Sequence, residues 1–410
     1  MSLERGKTVG IEGDRPGTEL AQRPPTPSRP RIDAVDVVRG IIMVVMALDH
    51  ARDYFGFPGD NPTDLARAST ALFLTRWVTY FCAPVFFLLT GTGARLSLAR
   101  RTRAGLSRFL LTRGAWLMVF ELTVMRWLGY QFNADYRVTM LLVLWALGGA
   151  MITLSILVWL PTPAILGIGL LLVTCHNLLD GVASASPLWA ILHAPGFVFR
   201  GEEHVVFVAY PLVPWIGVTA AGYALGSIYE WEAARRRAFL LRVGIGVTAA
   251  FLVIRGLDGY GDPSPWAAQA TAARTVLSFL STTKYPPSLS FLLMTLGPAL
   301  LLLRATDGGT PSWLRPARVI GKVPMFYYVL HFFLIHALAV VGCWALTGSA
   351  RAMFESPDLG HYPFTAPPGW GFSLPVVYAV WAAVVLATYG PCRWFAGVKQ
   401  RRSDAWLSYF

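Results

Sequence analysis

The chain has 410 residues, of which 55% are hydrophobic and 14% charged, and its formal net charge is +12. Soluble domains carry about 25% charged residues, so the composition excludes an ordinary soluble domain and points to a bilayer, where each buried charge is costly. The basic excess does not indicate nucleic acid, because Lys and Arg cluster in short loops between apolar runs, as membrane topology requires.

Residues 1–30, "MSLERGKTVGIEGDRPGTELAQRPPTPSRP", are rich in Pro, Gly and Arg and have no apolar run. Such a segment cannot bury a core and is expected to be disordered. It also lacks the apolar stretch of a signal peptide. The expected organisation is a cytoplasmic tail over 1–30, one membrane domain over 31–398 and a cytoplasmic tail over 399–410. A spanning helix needs about 20 mostly apolar residues. Ten stretches qualify, roughly 35–56, 69–94, 109–130, 139–160, 163–180, 206–229, 238–256, 286–304, 321–347 and 373–396. The expected fold is therefore an all-α polytopic bundle of about ten transmembrane helices with both termini cytoplasmic.

Loop charge supports that orientation. With the N-terminus inside, the segments up to Arg39 and over 95–113, 229–242, 304–322 and 393–402 hold 25 of the 35 Lys and Arg. This is the bias of cytoplasmic loops, and an odd number of spans would spoil it. The outer loops 181–205, 257–285 and 348–372 contain Trp, Tyr, His and Pro. They suit either caps over a cavity or a purely structural role.

The first stretch contains "RGIIMVVMALDH", Arg39 to His50. At helical periodicity Asp36, Arg39, Met43, Met46, His50 and Asp53 fall within an arc of about 100°, while Val37, Ile41, Val44, Val45 and Leu48 form an opposite side suited to lipid. Arg39 and His50 are separated by about 16 Å along the axis, so Arg39 sits near the cytoplasmic boundary and His50 in the outer half. Asp53, one turn on, is placed to hold the His50 ring; Asp49 is adjacent but points elsewhere. An imidazole beside a carboxylate in a partly dry site suits a general base. An inside anchor and a polar helix end are the bland alternative.

Other polar residues fall within apolar stretches. Glu121 lies between Arg113 and Arg126 and needs a partner; a structural salt link is the expectation. "YPLVPWIGV" suggests a broken helix that brings Trp215 to a pocket, or a simple kink. Lys284 opens the eighth stretch and suits either an anionic group of a ligand or the membrane interface. Tyr327 and His331 share a face of the ninth stretch, giving a phenol and an imidazole to a cavity or to the core, whereas His336 points away from His331. Cys82, Cys175, Cys343 and Cys392 read as small hydrophobes. No metal-ligand spacing is present, and His50, His176, His331 and His336 show no pairing suited to haem.

"RIDAVDVVRGIIMVVMALDH" resembles the first helix of the heparan-α-glucosaminide N-acetyltransferase-like membrane proteins, in its Asp-x-x-Arg-Gly start before an apolar run. "KYPPSLSFLLMTLGP" (284–298) and "GKVPMFYYVLHFFLIH" (321–336) resemble later blocks of the bacterial branch of that family. The Arg-x10-His spacing is similar to the first-helix motif of membrane acyltransferases that O-acylate bacterial surface sugars. The animal enzyme of the family uses a histidine in the following outer loop. Residues 51–69, "ARDYFGFPGDNPTDLARAS", contain none, so either His50 takes that role, as the resemblance to the sugar O-acyltransferases implies, or this branch does different chemistry.

The resemblance implies an acyltransferase, acetyl-CoA as cytoplasmic donor, and no metal. Arg39, Arg100, Arg101 and Arg113 would meet the donor phosphates. His50, with Asp53 and Asp49, would form the catalytic set. Lys284, Tyr327, His331, His336, Glu121 and Trp215 would line the acceptor cavity. The acceptor would be a sugar or another hydroxyl or amine, lipid-linked or free, reached from the outer side of a bacterial cytoplasmic (inner) membrane. Expected partners are the lipid bilayer, that acceptor and a second copy in a homodimer, and not nucleic acid. The alternative is a transporter or flippase for a lipid-linked or small anionic solute, with the same buried charges as a relay. A scaffold without chemistry is a third reading.

Overall fold

Helix makes up most of each apolar stretch, and the chain is an all-α bundle with one small sheet. The computed structural model describes residue 2, residues 32–402 and residues 404–409. Apart from Ser2, the tail expected over 1–30 lies outside the described residues. α1 spans Asp33–Phe55. The second stretch is two helices, α2 (Thr70–Thr79) and α3 (Cys82–Ser97), with Ser69 capping the first by accepting the Leu72 N–H. α4 (Arg103–Phe120) runs on into wider π-helical turns over Glu121–Tyr130. There follow α5 (Val143–Leu157), α6 (Thr162–Cys175), the short α7 (Pro187–Leu192), α8 (Leu212–Leu225) and α9 (Ala233–Leu257). The last elements are α10 (Ala272–Leu280), α11 (Leu289–Thr306), α12 (Arg315–Lys322), α13 (Pro324–Thr347) and α14 (Leu374–Arg401). Seven helical stretches among the described residues are long and apolar enough to cross a membrane, namely those beginning at Thr70, Thr162, Leu212, Ala233, Leu289, Pro324 and Leu374.

A small sheet accompanies the bundle. β1 (Val138–Leu141) pairs in parallel with β3 (Val205–Val208), and β2 (Gly196–Arg200) pairs antiparallel with β3 across a bulge at Phe197/Phe199. The stretches expected to begin helix at 139 and 206 therefore begin as strand. "VTML", "GFVFR" and "VVFV" are short and rich in β-branched and aromatic residues, which fit a half-buried pleated surface better than a helix start.

The expected lipid side of α1 is corrected. α1 packs against α3, α11, α12, α13 and α14, so it is enclosed rather than lipid-facing. Val37 is fully buried, Leu48 is buried, and the Trp381 indole donates to the Val44 carbonyl. Periodicity revealed two chemical faces but not that the apolar one meets protein. At its N-terminal end α1 crosses α12 at backbone contact. A Cβ on Gly40 would lie 1.7 Å from the Ala317 carbonyl oxygen, and one on Gly321 would lie 1.8 Å from that of Asp36.

On the other side, a buried guanidinium organises the segment between α9 and α11. Arg255, 1% exposed, donates to the carbonyls of Ser264, Ser278, Phe279 and Ser281 and lies 3.8 Å from the Asp262 carboxylate. Asp262 in turn accepts from the Thr283 N–H and hydroxyl and from the Ser288 hydroxyl. These bonds fix the backbone that carries Lys284 and Tyr285.

Candidate active site

Two neighbouring cavities share walls. The larger, about 960 Å³, is lined by the segment after α1, the start of α2, residues 281–285 and the loop 360–374. The smaller, about 410 Å³, lies among the helices and strands, with Asp49, His50, Arg52, Asp53 and Tyr54 of α1 facing Met140, Phe207, Tyr130 and Tyr328. Arg52, Asp53, Arg76, Lys284, Tyr285, Tyr362 and Pro363 line both. The loops 257–285 and 348–372 thus contribute walls to the cavities.

His50 is partly buried. Its Nδ1 lies 3.8 Å from Asp53 Oδ2, an ion-pair distance and too long for a hydrogen bond. Its ring centroid is 3.8 Å from that of Phe332 and 5.5 Å from that of His331. His331 is fully buried; its Nδ1 bonds to the Tyr327 carbonyl, and its Nε2 has no hydrogen-bond partner among the described residues. One face of His50 is therefore packed against aromatic rings, and its Nδ1 edge is turned to a carboxylate.

Asp49 does not point away from the site. Both its oxygens accept from Arg76 Nη1 at 2.8 Å, Oδ1 also meets Arg52 Nη2 at 2.8 Å and the Thr79 hydroxyl at 3.0 Å, and Oδ2 lies 3.9 Å from Lys284 Nζ. Arg52 bridges from Asp49 to Asp53 Oδ1 at 2.6 Å. Periodicity set Asp49 apart from His50 correctly, but the side it takes is occupied by α2 and the 281–285 segment rather than by lipid. Three cations and two carboxylates thus meet beside His50, with an excess of one positive charge before the imidazole is counted. The Lys284 ammonium also sits 5.2 Å from the Tyr285 ring centroid and 5.8 Å from that of Tyr80.

The remaining expected residues divide. Tyr327 is fully buried and lines neither cavity; its neighbour Tyr328, a third of a turn away, lines the smaller one instead. His336 is structural, bonded to the carbonyls of Gly129 and Met353. Trp215 is fully buried and stacked on Phe87 at 4.4 Å, because Pro211 and Pro214 start α8 rather than break it. Glu121 makes no salt link to Arg113 or Arg126. It accepts instead from the N–H groups of Leu142, Leu144 and Trp145 at the start of α5 and from the Tyr130 hydroxyl. Arg126 turns to the Val138 carbonyl, Asn133, Asp135 and Ser356.

At the other end of α1, Arg39 donates to Asp36 at 3.1 Å and to the Gly321 carbonyl at 3.2 Å. Arg113 is close enough to Arg39 and Arg101 to feel their charges. Burial and the adjacent Arg100 pull the Arg101 guanidinium below its ordinary value. These four arginines line neither cavity near His50.

Sequence reading missed Arg52, Arg76 and most of the phenols, Tyr54, Tyr130, Tyr210, Tyr285, Tyr328 and Tyr362. Arg76 carried a signal, since it is a charge inside an apolar stretch. The tyrosines carried none, because aromatic residues are ordinary in membrane helices. His361, 58% exposed, was also passed over; it lines the larger cavity, and its bond from Nδ1 to Asp358 at 2.8 Å holds that carboxyl below its ordinary value.

No curated protein matches the chain. A family model described as heparan-alpha-glucosaminide N-acetyltransferase, catalytic, matches residues 31–256, more than half of the chain and the part that holds Asp49, His50, Arg52, Asp53 and Arg76. With its apolar helices, the chain belongs to the heparan-alpha-glucosaminide N-acetyltransferase catalytic family, as an integral membrane protein of the acetyltransferase kind.

Proposed function

We propose that the protein moves an acetyl group from cytoplasmic acetyl-CoA to a hydroxyl or amine on the outer side of a bacterial cytoplasmic membrane, the acceptor being a sugar or a lipid-linked sugar. The observation that carries this reading is His50 in the wall of a tyrosine-rich cavity, beside Asp53 and next to a larger cavity that shares seven of its lining residues. Orientation follows from the loop charges, with about ten crossings and both termini inside.

Family membership supports acetyl-CoA as donor, and the residues at the cytoplasmic end of α1 fit it. Arg113 lies within the field of Arg39 and of Arg101, and Arg100 acts on Arg101, a cation set of the kind that phosphates require. When bound, acetyl-CoA supplies an acyl carbon activated as a thioester. At the other end, His50 takes the proton from the acceptor hydroxyl or amine. Asp53 favours the protonated ring that results. Arg76 and Lys284, anchored by Asp49, hold acceptor oxygens and raise the local positive potential, which stabilises negative charge as it develops. Phe332 and His331 exclude water from the packed face of the imidazole.

The test is transfer of labelled acetyl from acetyl-CoA to glucosamine by purified protein in liposomes. His50→Ala is expected to lower turnover by at least about 100-fold while the variant elutes as folded protein. Undiminished transfer by His50→Ala, or wild-type protein that neither binds nor consumes acetyl-CoA, overturns the reading.

A further inference from the structure

Glu121 is 1% exposed and holds both oxygens in use. Oε1 accepts from the Leu144 N–H at 3.0 Å and from the Tyr130 hydroxyl at 3.2 Å; Oε2 accepts from the N–H groups of Leu142 at 3.0 Å and Trp145 at 2.8 Å. Three of its partners are backbone N–H groups at the start of α5, which can only donate, so both Glu121 oxygens are occupied as acceptors. Tyr130 has one proton, and the carboxylate is the stronger acceptor for it. The Tyr130 oxygen lies 2.8 Å from the Tyr328 oxygen. Once the Tyr130 proton points to Glu121, only Tyr328 can be the donor in that second bond. The Tyr328 proton is then spent inward, and its oxygen has lone pairs but no proton to offer the cavity that it lines.

We propose that Glu121 is a positioning residue that sets the direction of this chain, so that Tyr328 meets the acceptor substrate only as a hydrogen-bond acceptor. The site then selects a molecule that presents an O–H or N–H at that point and rejects its methyl ether, which has no proton to give. The inference rests on the smaller cavity being the acceptor site. It adds to that reading a residue outside the matched family segment that discriminates between ligands by proton count rather than by shape or charge.

Two variants separate this role from packing. Tyr328→Phe removes the accepting oxygen and keeps the ring. Tyr130→Phe leaves the Tyr328 phenol in place but frees its proton to turn toward the cavity. The probes are glucosamine and its mono-O-methyl ethers, in the acetyl-transfer assay. Wild-type protein is expected to lose about tenfold in kcat/KM on one of the ethers, the worth of one hydrogen bond. Tyr328→Phe should lose a similar factor on glucosamine, chiefly in KM, and no longer distinguish that ether. Tyr130→Phe should accept the ether better than wild type does, a gain that a merely structural role does not produce. Wild-type protein indifferent to every ether, or Tyr130→Phe with wild-type selectivity, overturns the proposal.

A measurement without substrate separates failure of this inference from failure of the functional reading. With ring-¹³C tyrosine, the infrared difference between wild type and Tyr328→Phe isolates the Tyr328 C–O stretch, which distinguishes a phenol that donates from one that does not. A donating band in wild type that shifts in Tyr130→Phe supports the chain even if no acetyl is transferred. A non-donating band in resting wild-type protein sinks it even if transfer is robust.

Discussion

Replacing Asp49 with Ala tests whether the ion cluster beside His50 is a buried unit or a solvated patch. The Asp49 side chain is 12% exposed, and its partners Arg52, Arg76 and Lys284 are 10%, 16% and 8% exposed. Arg52 keeps Asp53 as a partner, but Arg76 and Lys284 lose the carboxylate between them. Removing one member of a buried charge set typically destabilises by about 3–5 kcal/mol, because the remaining charges stay desolvated and unmatched. The cavities on either side admit some water, which places the expectation at the lower end, about 3 kcal/mol. Reversible unfolding in mixed detergent–SDS micelles, followed by tryptophan fluorescence, measures it. Asp49→Ala combined with Arg76→Ala should be less destabilised than the sum of the two single variants, since the double variant leaves fewer stranded charges. A loss below about 1 kcal/mol for Asp49→Ala, the range of exposed pairs, would refute burial as the source of the cluster's stability.

Three other outcomes follow from the same geometry. Gly40→Ala places a methyl group inside the Ala317 backbone and should separate α12 from α1; yield of monodisperse protein is expected to fall sharply, whereas Gly246→Ala, with open space around it, should be neutral. Arg255→Met keeps the volume but leaves four carbonyls without their donor, so hydrogen exchange over 259–288 should accelerate and KM for the acceptor should rise. Single cysteines at positions 100 and 361, in a background lacking the four native cysteines, should be labelled by an impermeant maleimide from opposite sides of the membrane; labelling from the same side would reject the assigned orientation.

Much of the fold was legible because hydropathy is a local property. Most of each apolar stretch is helix, although two of them open with a short strand. The periodicity of α1 placed Asp53 beside His50, and their side chains lie 3.8 Å apart. It could not say what covered the opposite side, because α12 and α14, which pack on α1, come hundreds of residues later in the chain. The same limit explains Asp49 and Glu121. Their partners are Arg76, Lys284 and the backbone of 142–145, and neither angular position nor the nearest arginine in sequence identifies such contacts. Nearness in sequence misled in the case of Glu121, where Arg113 and Arg126 were at hand but the start of α5 won. A backbone N–H is present at every residue and so leaves no mark in the sequence. The strands at 138 and 205 were hidden for a related reason, since their residues are also good members of an apolar run.

The enclosure of α1 has a consequence for where the molecule can be divided. The segment that identifies the family ends at residue 256, yet α11, α12, α13 and α14, which surround the helix bearing His50, all come after it. Lys284, Tyr328, His331 and Tyr362 come after it too. The recognisable unit is therefore smaller than the cooperative unit. A chain cut after α9 would retain the imidazole and lose the chamber around it, leaving a charged helix with its flanks bared to lipid. Conversely, a hybrid that keeps residues up to 256 and takes its remaining third from a relative would inherit the proton-handling half from one parent and the ligand-facing half from the other.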